Sequence, residues 1–186
     1  MVLGIPRGGV PVAKVLADKL KAPLGVIVTK KIAAPNQEEL AIGAVGPEGE
    51  IVLDQNLIQK LGIEEEILAE QIEKAKEKVS KYKAKFKDKV DLKNKTVILV
   101  DDGIATGATV KAAVKHLRNK KVKKLILTVP VAPQDIIREL KDLVDEIVVL
   151  EAPRDFQAVG EFYQNFPQVT DEEVLQLLHE TNRRTW

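Results

Sequence analysis

The sequence contains no cysteine, a single methionine, a single tryptophan and two histidines among its 186 residues. Without cysteine, the chain cannot form disulfide bonds, thiolate nucleophiles or cysteine-based zinc sites. It also lacks any apolar run near the length of about 18 residues that a membrane-spanning helix requires, so we expect no membrane partner. Lysine and arginine number 29 against 28 aspartate and glutamate residues, and this balance makes nucleic acid an unfavoured partner.

A chain of this length supports a sizeable core, and we expect residues 1–186 to form one domain. No basic segment followed by an apolar stretch and a small-residue cleavage site stands before the first apolar segment. We therefore expect no signal peptide and, by default, a cytoplasmic location.

Apolar strand-like segments and helical patterns alternate along the sequence. Strands are predicted at Val2–Ile5, Pro23–Thr29, Thr96–Val100, Leu125–Val129 and Glu146–Leu150, and helices at Val10–Leu20, Glu64–Lys87, Val110–Asn119 and Pro133–Leu140. This alternation predicts an α/β fold with a mainly parallel sheet and helices on both faces. Ligands of such sheets bind beyond the carboxyl ends of the strands.

Two segments depart from that alternation. The stretch from Lys30 to Gly49 is rich in proline, glycine and asparagine and is predicted to be irregular, except for a hairpin of Ala41–Val45 with Ile51–Leu53. The helix predicted at Glu64–Lys87 carries apolar residues at heptad spacing. That seam could pack against its own domain or against a second subunit.

The most informative stretch is Val97–Thr109, whose sequence is VILVDDGIATGAT. Four apolar residues lead into the adjacent acids Asp101 and Asp102, which can accept hydrogen bonds from vicinal sugar hydroxyls. Amides and hydroxyls of the following loop can donate to phosphate oxygens at the start of a helix. The candidate phosphate-binding residues are Gly103, Ile104, Ala105, Thr106, Gly107, Ala108 and Thr109. The alternative is an ordinary strand–loop–helix connection with a threonine cap.

A second candidate loop follows the first predicted strand and has the sequence Pro6-Arg7-Gly8-Gly9. An arginine fork and the amides of two glycines are typical ligands of phosphate groups. Taken alone, the same four residues are equally typical of a turn. No Walker A pattern occurs, and no G-x-G-x-x-G opens a helix after a strand, which disfavours nucleoside triphosphates and dinucleotides as ligands.

The acid pair with its T-G-x-T tail resembles the phosphoribosyl diphosphate (PRPP) motif of type I phosphoribosyltransferases. With PRGG near the start, ELAIGAV in the middle and AVG-x-x-Y-x-x-F near the end, the whole chain is similar to bacterial and archaeal phosphoribosyltransferases of unassigned substrate. The resemblance implies a three-layer α/β/α fold with a mainly parallel sheet. It also implies a flexible loop and hairpin at about residues 30–54 and a small C-terminal hood at about 151–186. Relatives usually carry a helical segment before the first strand, whereas this sequence starts at the strand.

The resemblance also implies roles for the two candidate loops. Arg7, Asp101 and Asp102 would be catalytic, and the acid pair would contact Mg²⁺ indirectly, through water or through sugar hydroxyls. The loop Pro6–Gly9 would bind pyrophosphate and would contain a non-proline cis peptide between Pro6 and Arg7.

Further implied site residues lie in the flexible loop and in the hood. Lys30 and Lys31 would face pyrophosphate from the flexible loop, or would form a solvated charge pair. Asp155 and Phe156 would hold the base in the hood, with Phe156 stacking on the ring. The other aromatic residues of the hood are interpreted as a small core. We expect His116 and His179 to be structural or surface residues, because no acidic or cysteine ligand stands at metal-binding spacing beside them.

The implied activity is transfer of the phosphoribosyl group of PRPP to a nitrogenous base, with Mg²⁺ as cofactor and a homo-oligomer, typically a homodimer, as the assembly. The alternative is a regulatory protein of the same fold that senses PRPP or a nucleotide and regulates RNA or a partner. The basic residues between Lys111 and Lys124 would then contact RNA, or would simply form a solvated face. In enzymes of this family that act on 6-oxopurines, an aspartate stands at the position that Ala105 occupies here. We therefore expect hypoxanthine and guanine to be poor acceptors.

Overall fold

The computed structural model describes residues 1–86 and 91–184, so Lys87, the last residue of the long predicted helix, lies outside the described residues. In chain order the elements are β1 (Val2–Gly4), α1 (Gly9–Leu20), β2 (Leu24–Val26), β3 (Lys30–Ala34), β4 (Gln37–Val45), β5 (Ile51–Leu53), α2 (Gln55–Leu61), α3 (Glu65–Phe86), β6 (Thr96–Val100), α4 (Ala108–Asn119), β7 (Lys124–Val131), α5 (Gln134–Lys141), β8 (Glu146–Glu151), a 3-10 helix (Val159–Phe162) and α6 (Asp171–Arg184). None of these helices is long and apolar enough to cross a lipid bilayer.

The described chain forms two compact units. The first unit contains residues 1–27, 91–107 and 117–184, and the second contains residues 28–86 and 108–116. The first unit is built on a five-stranded sheet in the order β2-β1-β6-β7-β8, in which every neighbouring pair is parallel. The α/β class with a mainly parallel sheet is therefore confirmed.

Helices cover both faces of this sheet. Helix α1 packs on β1 and β6 and also contacts α6, whereas α5 contacts β8. The chain steps from β1 to β2 in one direction and from β7 to β8 in the other, so right-handed crossovers place α1 and α5 on opposite faces. Along β7 every second side chain is fully buried, including Leu125, Leu127 and Val129. These apolar side chains form the centre of the core, and the result is the expected three-layer arrangement.

The order of the sheet strands also fixes where a ligand can bind. The chain leaves β1 toward β2 and leaves β6 toward β7, so the strand order reverses between β1 and β6. Gly4 pairs with Val100, and the amide of Ile5 donates to the carbonyl of Val100 at 2.8 Å. The two strands consequently end at the same level, and the loops that follow them begin side by side. Such a switch point is the usual ligand crevice of an open parallel sheet.

The second unit is built on an antiparallel sheet in the order β3-β4-β5, against which α3 packs. Helix α3 buries Ala75, Val79 and Phe86, which are three residues of the heptad seam, so this seam faces strands β3 and β4 of the same unit. The expectation of an irregular chain from Lys30 to Gly49 is wrong, because β3 and β4 pair across a tight turn at Asn36, which has a φ of 60°. The predicted hairpin of β4 with β5 is confirmed.

Candidate functional site

The acid pair stands directly after β6, at the switch point of the parallel sheet. The amide of Asp102 donates to Oδ1 of Asp101 at 3.0 Å. Burial raises the pKa of Asp101 well above its usual range, and the neighbouring charge of Asp102 raises it further. Burial also raises the pKa of Asp102, although hydrogen bonds to Asp101 and to main-chain amides oppose that shift. Two carboxyl groups that resist joint ionisation favour a ligand that brings hydrogen-bond donors or positive charge.

The loop after β1 lies against this acid pair. A Cβ atom at Gly8 would overlap the carboxylate of Asp102, and a Cβ atom at Gly9 would lie 2.8 Å from main-chain atoms of Val100 and Asp101. The close approach of the two main chains therefore requires glycine at position 9. The peptide between Pro6 and Arg7 is cis, as the family resemblance implied, and this expectation is confirmed. The sequence-predicted loop Pro6–Gly9 and the acid pair are thus brought together in one unit.

Arg7 is the cation of this loop, and its side chain is 32% exposed. Its Nη1 atom lies 3.8 Å from Oδ1 of Asp171, the first residue of α6. Nothing in the sequence around Arg7 indicates this partner, which lies in the C-terminal part of the chain, where the family resemblance implied only a base-holding hood.

Some residues of the loop that follows the acid pair are part of the core, and others are exposed to solvent. Ile104 is buried, and its amide donates to the carbonyl of Val131 at 3.0 Å, so this amide is committed to the fold and is not free for a ligand. Ala105 and Thr106 are exposed. Within residues 1–86 and 91–184, the amides of residues 105–107 donate to no main-chain carbonyl. Gly107 has a φ of 73°, which only glycine adopts readily, and α4 begins at the next residue.

The hood contacts the acid pair through a residue that sequence reasoning had placed in a small aromatic core. The hydroxyl of Tyr163 donates to the main-chain carbonyl of Asp102 at 2.6 Å. Burial, together with the charges of the acid pair, raises the pKa of Tyr163 to about 12. The predicted base-stacking residue Phe156 is half-buried and stacks on Phe162, with ring centroids 5.7 Å apart. Asp155 is exposed.

The two lysines predicted for the flexible loop lie on β3 of the second unit. The Nζ atom of Lys30 sits 3.6 Å from the ring centroid of Tyr82, a cation–π contact. Lys31 forms an ion pair with Glu39 at 2.9 Å. Both lysines therefore have partners within that unit.

The second unit also contains a cluster that local sequence spacing did not reveal. Nδ1 of His116 lies 2.7 Å from Oε1 of Glu50, although the two residues are 66 positions apart. With Glu48 they offer three ligand atoms within 4.8 Å of one another, which could hold a metal ion. His116 is buried, and in that sense it is the structural residue that the sequence predicted.

Comparison with known proteins identifies the family of the chain. The sequence model of the phosphoribosyl transferase domain matches residues 1–163, which include both loops and Tyr163. The chain belongs to the phosphoribosyl transferase domain family. The match ends before α6, so Asp171 lies outside the part that the family model describes.

Individual members of the phosphoribosyl transferase family are also similar to the chain. Two Mycobacterium tuberculosis proteins, one from each of two strains, are 38% identical over 187 residues. Both are provisionally named phosphoribosyl transferases. The matched region covers 98% of this chain but 42% of each relative, so the chain spans less than half of their length. A protein from Thermus thermophilus whose crystal structure is known has 37% sequence identity to this chain. The match covers 96% of this chain and 86% of the Thermus chain, and the two structures superimpose with a TM-score of 0.76.

Proposed function

We propose that this protein transfers the 5-phosphoribosyl group of PRPP to a nitrogen atom of a base and releases pyrophosphate. The observation that carries the proposal is the meeting of two loops at the switch point. The acid pair Asp101–Asp102 and the Arg7–Gly8 loop follow adjacent parallel strands and lie in contact. The chain's membership of the phosphoribosyl transferase family supports the same reaction.

In this proposal the acid pair binds the ribose. Asp101 and Asp102 accept hydrogen bonds from the two ribose hydroxyls of PRPP. Those donors stabilise the ionised form of two carboxyl groups whose pKa values burial raises. The sugar ring is thereby oriented at the switch point before the reaction begins.

The loop after the acid pair binds the 5-phosphate. The amides of residues 105–107 donate to no main-chain carbonyl in the described part of the chain, and the hydroxyls of Thr106 and Thr109 add two more donors. The amide of Ile104 takes no part, because it donates to Val131. The start of α4 contributes the positive end of its helix dipole.

The loop after β1 binds the leaving group. Arg7 and the amide of Gly8 donate to pyrophosphate, whose negative charge rises as the bond to ribose C1 breaks. The amide of Gly9 takes no part, because it donates to the carbonyl of Ile5 at 3.1 Å. The pyrophosphate departs with the bonding electrons, a lone pair of the base nitrogen forms the new C1–N bond, and that nitrogen loses its proton where it carries one. Catalysis of this kind depends on positioning and on electrostatic stabilisation of the departing group.

Mg²⁺ fits the chemistry of this site. The acid pair supplies carboxylate oxygens, which Mg²⁺ prefers, and the raised pKa values of both acids indicate that added positive charge would stabilise the ionised pair. Asp101 and Asp102 would hold the ion indirectly, through water or through the ribose hydroxyls. When bound, the ion would neutralise charge on the pyrophosphate group.

The base would lie against the hood. Phe156 already has Phe162 behind one face of its ring, which fixes the ring's orientation and leaves stacking on the base to its other face. Asp155 is exposed and can accept a hydrogen bond from a ring nitrogen or an exocyclic amine.

The direct test measures nucleotide formation. The protein, PRPP and Mg²⁺ are incubated with a panel of purine and pyrimidine bases, and pyrophosphate and nucleoside monophosphate are quantified together. We expect equal amounts of both products with at least one base. The double variant Asp101→Asn/Asp102→Asn serves as the matched control and should form neither. Binding of PRPP without turnover of any base would contradict the proposed reaction.

A further inference from the structure

Helix α6 brings a carboxylate to the pyrophosphate loop. The helix begins with a capping box, in which the Glu173 amide donates to Oγ1 of Thr170 at 3.1 Å and the Thr170 amide donates to Oε2 of Glu173 at 2.7 Å. Val174, one turn into the helix, is fully buried, and α6 packs against α1 and β2. The first turn of α6, which carries Asp171, is therefore fixed by the capping box at its start and by the packing of Val174 at its end.

The position of Asp171 differs from that of the other acids in the same turn. Its side chain is 12% exposed, whereas Glu172 and Glu173 are exposed residues. Oδ1 of Asp171 lies 3.8 Å from Nη1 of Arg7. This separation gives strong attraction between the charges but is longer than a hydrogen bond, so the N–H groups of Arg7 are not consumed by that oxygen.

We propose that Asp171 is a positioning residue that holds the guanidinium of Arg7 in place for pyrophosphate. This inference rests on the proposed function, in which Arg7 binds the leaving group. A free arginine side chain loses much rotamer freedom when it binds a ligand, and a fixed carboxylate removes part of that cost in advance. The negative charge of Asp171 also opposes an incoming anion, but its place at the positive end of α6 offsets part of that repulsion.

The test measures pyrophosphate binding by titration calorimetry in the presence of Mg²⁺, with the whole 186-residue chain. Removing the charge in Asp171→Asn should weaken pyrophosphate binding by about three- to tenfold, the effect of leaving one long side chain to be ordered on binding. Asp171→Glu should restore most of the affinity. Glu172→Gln, which removes the same charge from an exposed position in the same turn, should leave affinity unchanged.

A double-mutant cycle separates positioning from a purely structural role. If Asp171 acts through Arg7, then Asp171→Asn will have no further effect in a protein that already carries Arg7→Gln. Weakening of equal size in both backgrounds, or unchanged or tighter binding by Asp171→Asn alone, would overturn the inference and leave the proposed function standing. Failure of the unmodified protein to bind pyrophosphate would overturn both.

Stability is monitored in parallel by thermal unfolding. Should Asp171→Asn fail to fold, Asp171→Ser replaces it with the same expectations, because serine also removes the charge and keeps a small polar side chain at this position. A loss of affinity that is seen with Ser but not rescued by Glu would count against positioning by charge.

Discussion

Replacement of Tyr163 by phenylalanine tests how the hood is tied to the acid pair. The substitution removes only the hydroxyl that donates to the Asp102 carbonyl at 2.6 Å. The ring remains packed against Phe166, whose centroid lies 5.0 Å away, so no cavity is created. A typical hydrogen bond contributes about 0.5–1.5 kcal/mol, and a buried carbonyl left without a donor costs about 1–3 kcal/mol. We therefore expect Tyr163→Phe to lower the free energy of unfolding by about 1 kcal/mol, because Tyr163 is half-buried and water can replace part of the lost bond.

The assay is urea unfolding at neutral pH, together with titration of PRPP. A loss of about 1 kcal/mol corresponds to a decrease in melting temperature of about 2–4 °C for a chain of this size. The affinity for PRPP should fall as well, since the main chain of Asp102 loses the donor that fixes it. Tyr82→Phe is the matched control, because no residue in the described part of the chain forms a hydrogen bond with the Tyr82 hydroxyl. Equal stability and equal PRPP affinity for Tyr163→Phe and the unmodified protein would refute this reasoning.

The pH dependence of the free energy of unfolding gives an independent check on the environment of the Tyr163 hydroxyl. The pKa of Tyr163 is raised from 10.0 to about 12 in the folded protein. Between these two pH values the phenol is therefore neutral in the folded state and ionised in the unfolded state. Stability from this group is therefore complete below pH 10 and declines as the pH rises toward 12. The unmodified protein should lose stability more steeply across this range than Tyr163→Phe. Parallel curves would contradict the assigned environment of the hydroxyl.

Three further predictions concern the loops and the second unit. In Asp101→Asn/Asp102→Asn, PRPP and ribose 5-phosphate should no longer bind measurably better than inorganic phosphate, which calorimetry would show; unchanged PRPP affinity would remove the ribose assignment. Hypoxanthine and guanine should be poor acceptors, and Ala105→Asp should raise their turnover, because general-base assistance is typically worth about 10²–10⁴-fold; efficient guanine turnover by the unmodified protein would contradict this. Although burial raises the pKa of Glu50, hydrogen bonds from His116 and from main-chain amides outweigh it and hold the pKa below 4.5, so stability from this carboxylate should be lost as pH falls below that value. Urea unfolding of Glu50→Gln should lack this acid-dependent loss, and an identical pH profile would argue against the Glu50–His116 contact.

The parallel sheet was predictable because its signals are local. Each of its strands is a short apolar run bounded by turn or charged residues, and Thr96–Val100 was predicted with the bounds that the structure shows. The antiparallel strand β3 was not predicted, since its residues Lys30–Ala34 include two lysines and two alanines, which favour no strand, and proline follows at once. The helix α6 was also missed, although Thr170 and Glu173 stand at the spacing of a capping box.

Within the candidate site, the residues that the sequence predicts are those that directly follow a strand of the parallel sheet. Arg7 and the acid pair each follow a strand directly, and a switch point brings the ends of neighbouring strands together, so motif spacing alone identifies both loops. Tyr163 reaches Asp102 across 61 positions of sequence, and Asp171 reaches Arg7 from a helix that starts beyond the family match. Tyr163 is the tyrosine of the AVG-x-x-Y-x-x-F pattern, but neither this pattern nor any periodicity identifies the partner of its hydroxyl, because the contact depends on how the C-terminal segment folds back onto the loops of the first unit. The residues proposed to bind the phosphate and sugar groups are thus identified by local sequence, whereas Tyr163 and Asp171, which contact two of them, come from the C-terminal segment. We therefore expect substitutions at Tyr163 and Asp171 to lower PRPP affinity more than substitutions at exposed residues of the first unit such as Glu172.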